Sequence, residues 1–175
     1  MHTSDFNSDF TASRQAEKNP VVIAALRDAF PGALAVHRAH QQNDQIGIDV
    51  WLEYPGARMA GVDLKIRRID YAARRGAPMD VVLEISFGDQ PGWATKPTKT
   101  DGYLFVCLDT GRAAAFNADV VRLALAYNLA DWTGRFKVIE TATTAVDGGD
   151  PIISMALIIP SDVLTAACLR CKEAA

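Results

Sequence analysis

The sequence predicts an α+β fold, a central mixed β-sheet flanked by helices, on three observations. Apolar residues alternate with polar ones through Ile46, Ile48, Val50 and Leu52, through Val62, Leu64 and Ile66, and through Val81, Leu83, Ile85 and Phe87, so each run reads as a strand with one buried face. Helical periods stand before, between and after the strand runs, an order that suits helices packed on a sheet. With 49% hydrophobic residues among 175, the chain has the means to bury a sizeable core as one domain spanning residues 1–175.

Residues 1–11 are polar and are expected to be disordered. Between residues 12 and 30, Val22, Ala25, Leu26 and Ala29 keep a helical period. Pro20 suits the first turn of a second helix after a short first one, and Pro31-Gly32 ends the run. Residues 33–36 form a short strand, followed by a polar loop, HRAHQQND, that leads into a hairpin over residues 46–68. Residues 71–77 make a basic loop or short helical turn, residues 80–87 (DVVLEISF) a strong strand, and GDQPGWATKPTKT a surface loop. Residues 102–108 and 112–116 pair around Asp109-Thr110-Gly111. Asn117 is suited to cap a helix over residues 118–130. Strands at 136–141 and 152–159 are separated by the turn-rich Asp147-Gly148-Gly149-Asp150, and Ser161 caps a closing helix to residue 172.

Register decides what the hairpin over 46–68 brings together. A two-residue turn at Pro55-Gly56 would set Asp49 against Val62 and place the apolar face of one strand beside the polar face of the other. A three-residue loop or a bulge instead puts Leu52 near Ala60 and Asp49 opposite Asp63, with apolar beside apolar throughout. The hydrophobic pattern therefore makes the two aspartates neighbours, and Lys65 shares a face with Asp63 because strand side chains alternate.

Composition excludes several classes. Net charge is only −3, so any DNA contact has to rest on local basic clusters. No apolar run approaches the roughly 18 residues that span a bilayer. The opening MHTSDFNSDF lacks the basic-then-apolar pattern of a signal peptide, so a cytoplasmic protein without a membrane partner is expected. Three cysteines give no disulfide framework: Cys107 belongs to an apolar run, while Cys168 and Cys171 read as small helix residues without a second pair at zinc spacing. His37 and His40 read as surface histidines. With no GxSxG elbow and no GxxxxGK loop, nucleophilic and phosphate-loop enzymes rank low.

Two carboxylates forced together repel, and a divalent cation is the simple resolution. Magnesium takes one or two carboxylates with water and phosphate oxygens, which Asp49 and Asp63 offer, and Lys65 stands close enough to orient the attacking water or to offset phosphate charge. Asp49, then thirteen residues, then Asp63-Leu64-Lys65 on adjacent strands after an N-terminal helix resembles the PD-(D/E)XK nuclease superfamily. GIDVWLE, GVDLKIRR, an acidic strand, then GW and TDGYLFV are also similar to members of that group, so the resemblance runs from the first helix to about Val106. It implies a restriction-endonuclease-like mixed sheet, magnesium-dependent cleavage of DNA, metal ligation by Asp49 and Asp63, and Lys65 as the catalytic lysine. Many members add a glutamate from the first helix, which implies Glu17 here, although Asp28 lies on the same segment. Ile48 stands where the family name has proline, a position that performs no chemistry.

Other residues extend this reading. Glu84, on the polar face of its strand, is either a further metal ligand or an exposed strand acid. Lys65, Arg67, Arg68, Arg74 and Arg75 form a basic cluster suited to phosphate contact, or else a solvated strand end. Trp93 with Lys96 and Lys99 would stack on a base and touch phosphates, unless Trp93 caps the core. Asp101 is expected to cap or to pair with Lys99, and Asp44 to sit in a turn. The expected function is a metal-dependent deoxyribonuclease, an endonuclease using magnesium or manganese. Its rival is a non-catalytic nucleic-acid-binding or assembly module on the same fold. Cleavage of duplex DNA by one site per chain would call for a homodimer.

Overall fold

The computed structural model describes residues 3–4, 15–40, 46–143 and 150–173. In chain order the elements are β1 (Thr3–Ser4), α1 (Pro20–Ala29), β2 (Ala35–Arg38), β3 (Val50–Tyr54), β4 (Arg58–Arg67), β5 (Asp80–Phe87), β6 (Gln90–Pro91), β7 (Gly102–Cys107), β8 (Ala113–Asn117), α2 (Ala118–Arg135), β9 (Lys137–Thr143), β10 (Ile152–Pro160) and α3 (Ser161–Glu173). Helices flank mixed β-structure, the α+β class that the residue pattern predicts. The strands divide into two sheets, β2-β3-β4-β7-β8 and β1-β9-β10-β5-β6.

The hairpin of β3 and β4 organises the first sheet. Tyr54 pairs with Arg58, Leu52 with Ala60 and Val50 with Val62, leaving Pro55-Gly56-Ala57 as a three-residue loop. Gly56 (φ +79°) and Ala57 (φ +57°) give that loop its left-handed turn. The register keeps apolar beside apolar as far as Val50 and Val62, where the pairing ends. The strand expected from Ile46 begins only at Val50, and Asp49 lies in a bend just before it, its N–H donating to Val62 O (3.0 Å) instead of pairing opposite Asp63. β7 lies parallel to β4, from Val62 beside Gly102 to Arg67 beside Cys107. Parallel neighbours need a crossover, and this one passes through β5 of the second sheet.

Two cores lie on the two faces of the first sheet. Val50, Leu52, Val62, Leu64, Leu104 and Val106 pack against Val22, Ala25 and Leu26 of α1. On the opposite face Tyr103, Phe105 and Cys107 meet Val81, Leu83, Leu157 and Ile159 of the second sheet, together with α2 and α3. β7 is covered on both faces, so all six of its residues are buried. Asp63 and Lys65 stand beside Tyr103 and Phe105, which places them on the face turned to the second core.

Local signals hold at most boundaries. Asn19 caps α1 through Val21 N–H (2.9 Å), with Pro20 in the first turn. Asn117 caps α2 through Val120 N–H (3.0 Å). That helix runs five residues beyond the expected end because Trp132 is buried and anchors its last turn. β2 lies two residues later than expected, its span fixed by pairing from Ala35 with Glu53 to Arg38 with Val50. Thr3–Ser4 pairs with Ala142–Thr143 where a disordered end was expected. The rest of that end, the Asp44 turn and the turn at residues 147–149 lie outside the described residues. Cys107 is free and buried in the core, as its apolar run suggested, and Cys168 and Cys171, on α3, are free and buried there too.

Candidate active site

Asp49 sits where β3 enters its ladder with β4. Its backbone N–H donates to Val62 O (3.0 Å), its carbonyl accepts from Ala39 N (2.9 Å), and its carboxylate accepts from Leu64 N–H at 2.6 Å. Burial pushes the Asp49 carboxyl up to about 7, and the neighbouring Asp63 pushes in the same direction, while the Leu64 N–H and Lys65 oppose them. The structure thus brings the two predicted acids together.

Asp63 is buried, and Lys65 reaches back along the same face of β4 to place Nζ 2.8 Å from Asp63 Oδ1. The ammonium also lies 4.0 Å from the centre of the Trp93 ring, over its face. Lys65 is therefore shared between a carboxylate and an indole. Among the described residues, no cation lies within ion-pair distance of Asp49.

The two further acids are tied to partners. Glu17 precedes the Asn19 cap and accepts from Arg38 Nε (2.8 Å) and Nη2 (2.5 Å), yet it is near enough to add to the repulsion on Asp49. Asp28 instead lies exposed at the far end of α1, in a groove with Val21 and Gly111. Glu84 accepts from Trp93 N–H through Oε1 (3.2 Å). Among the described residues, no three His, Cys, Asp or Glu side chains converge into a group of metal-binding geometry. Asp101 pairs with neither Lys99 nor the acids; its carboxylate accepts from Gly61 N–H (2.6 Å) and fastens β4 to the start of β7.

The basic residues separate. Lys96 and Lys99 are exposed on a cleft of about 390 Å³ lined also by Ile46, Pro97 and Thr98. That cleft adjoins the acids at Gly47 (φ +78°), where a Cβ would meet Thr100 Oγ1 at 3.5 Å, Asp63 Oδ2 at 3.9 Å and Thr98 Cγ2 at 4.0 Å. Thr100 donates to Gly47 O and closes the 46–47 turn against this loop. Arg67 lies four residues past Asp63, about 13 Å along the strand at 3.3 Å per residue, and reaches Asp80 O (3.4 Å). Arg68 is exposed, Arg74 lies over Tyr71 (5.5 Å), and Arg75 pairs with Asp80 (3.1 Å). The expected cluster around the site reduces to Lys65.

Sequence reasoning missed three contributors. Tyr103 lies beside Asp63 in register, and burial raises its phenol above the ordinary range. Arg122 of α2 donates to Thr98 Oγ1 (3.0 Å) and brings a second cation toward that phenol. Gly47 lets a backbone turn close on Asp63. The parallel pairing of β4 with β7 is what identifies Tyr103, and no local pattern carries it. No protein-family model, curated protein or solved structure matches the chain.

Proposed function

We propose that this chain is a metal-dependent deoxyribonuclease, an endonuclease that hydrolyses phosphodiester bonds with magnesium held by Asp49 and Asp63. The observation that carries the proposal is the acid pair: buried Asp63 holds Lys65, while half-buried Asp49 beside it has its carboxyl pushed up to about 7 by burial and by Asp63. Magnesium accepts one or two carboxylates and fills its shell with water and phosphate oxygens, so this donor set fits it. The ion would supply Lewis-acid neutralisation of phosphoryl charge. Lys65, oriented by Asp63 and Trp93, would turn its ammonium to the scissile phosphate and offset the charge that develops there. Lys96 and Lys99 would draw the phosphate backbone into the adjoining cleft. The likeness of the Asp49 to Asp63-Leu64-Lys65 spacing to PD-(D/E)XK nucleases supports the same reading.

Calorimetric titration with magnesium, alongside cleavage of supercoiled and branched DNA in the same buffers, tests it. Asp63→Ala and the isosteric Asp63→Asn are expected to lose magnesium binding and to cut at least about 10²–10³-fold more slowly, with circular dichroism unchanged. Wild-type protein that binds no magnesium, even with DNA present, would reject the proposal.

A second reading is a non-catalytic nucleic-acid-binding or assembly module. The engagement of Glu17 by Arg38 and of Glu84 by Trp93 favours it, since neither acid is free to complete a ligand set. Retention of DNA on a filter without cleavage, at magnesium and manganese levels that activate a control nuclease, would select it.

A further inference from the structure

The GDQPGWATKPTKT stretch has the composition of a free loop, yet its first half is bound to a strand irregularity. On β10, Met155 pairs with Ser86 and the next residue, Ala156, pairs with Glu84, which leaves Ile85 as an extra residue on β5. The Ile85 carbonyl takes Gly92 N–H (3.1 Å) and Thr95 Oγ1 (3.1 Å). Glu84 contributes at two points, its carbonyl accepting from Ala94 N (3.1 Å) and its carboxylate from Trp93 N (3.2 Å). The approach is so close that a Cβ on Gly92 would lie 2.3 Å from Glu84 O. From the other side, Tyr103 Oη donates to Trp93 O (3.3 Å), and the indole packs 5.0 Å from the Tyr103 ring and 6.2 Å from Phe105.

A ring held in this way presents a fixed face to Lys65. Lysine carries its charge on a flexible four-carbon stem, and one ion pair leaves that stem several arrangements. The indole face at 4.0 Å is a second contact, and it sets the direction from which Nζ approaches Asp63. We infer that Trp93 is a positioning residue for Lys65, and that the bulge at Ile85 with Glu84 is the device that holds Trp93 in place. Glu84 thereby acts on the site through Trp93 and Lys65. The inference rests on the nuclease reading for its rate measurement alone.

The test uses the full chain, first without metal. In proton NMR the Lys65 methylene protons are expected upfield of ordinary lysine positions from the indole ring current. They should stay upfield in Trp93→Phe and return to ordinary positions in Trp93→Leu. In cleavage, Trp93→Leu is expected to lower kcat about a hundredfold with little change in KM, the size of loss a small misplacement of a catalytic group produces. Trp93→Phe should recover about tenfold of that loss, since phenylalanine keeps a ring face of weaker cation affinity. If Trp93→Leu does not fold, Glu84→Leu carries the measurement, with the same loss of upfield shift expected and Glu84→Gln restoring it. Ordinary Lys65 shifts in wild type, or Trp93→Leu cutting at the wild-type rate, would overturn the inference. A wild type that cuts no DNA but shows the ring-current pattern through the series would remove the nuclease reading and leave the positioning of Lys65 established.

Discussion

β4 and β7 meet a buried charged cluster at each end, and the two clusters are built on different terms. Past the C-terminal ends of both strands, the Asp70 carboxylate accepts from Ala73 N (2.9 Å), Thr110 Oγ1 (3.2 Å) and Arg112 Nε (3.0 Å). Its backbone N–H donates to both oxygens of Asp109 (3.0 and 3.1 Å), and Arg112 Nη1 caps Ala77 O (2.9 Å). A full set of donors and a guanidinium surround that acid, so burial there fastens the loops after β4 and β7. At the other end, among the described residues, the Asp49 carboxylate accepts from one N–H and has a second acid for a neighbour, and its carboxyl is pushed up to about 7. Burial alone therefore does not separate the two clusters; what separates them is how far the acid's charge is matched, even though Arg112 Nη2 at the Asp70 end is itself buried without a partner.

The comparison breaks most visibly by removing Arg112. Arg112→Ala leaves Asp70 buried with its charge uncompensated, and a loss of about 3–5 kcal/mol is expected in urea denaturation. Asp49 should behave in the opposite sense. Its folded value of about 7 lies above the unfolded 3.8, so the native state holds the extra proton in the window between them. Stability is greatest below pH 4 on this account and falls as pH rises toward 7, by on the order of a few kcal/mol. Asp49→Asn keeps an oxygen for Leu64 N–H and cannot ionise, so its stability should be flat over that window and exceed wild type at pH 8 without metal. A slope that survives in Asp49→Asn would assign the ionisation to another group.

The acid pair was legible in the sequence because it rests on local facts. Alternation along Val50 to Leu52 and Val62 to Ile66, with the loop length it requires, fixes the register of β3 on β4. This brings Asp49, in the bend before β3, near Asp63 although the ladder stops one pair short of them. The fold class followed from the same periodicities. Division into two sheets did not, since β5 and β4 carry the same alternating pattern and only long-range pairing separates them. Trp93 was read as a stacking surface or a core cap. The bulge that ties it under Lys65 depends on β5 meeting β10, strands some seventy residues apart in the chain. Adjacency in sequence is not adjacency at the acids for Arg67, which strand geometry carries about 13 Å along β4 from Asp63.

The smallest effect isolates what burial contributes to an ion pair. Arg75 and Asp80 lie 3.1 Å apart and Arg112 and Asp70 3.0 Å apart, so geometry is nearly the same in the two pairs. They differ in their surroundings: the Arg75 and Asp80 side chains are 60% and 20% exposed, the Arg112 and Asp70 side chains 34% and 1%. Water already solvates the Arg75 guanidinium and screens its attraction to Asp80, so Arg75→Ala is expected to cost less than about 1 kcal/mol, and less again in high salt. Arg112→Ala should show little relief from salt, because the acid it abandons has no water to turn to. Urea denaturation of both variants at low and high ionic strength checks this. Equal losses would mean that distance, not burial, sets the strength of these pairs, and the contrast between the two ends of β4 would then have to rest on Asp49 alone.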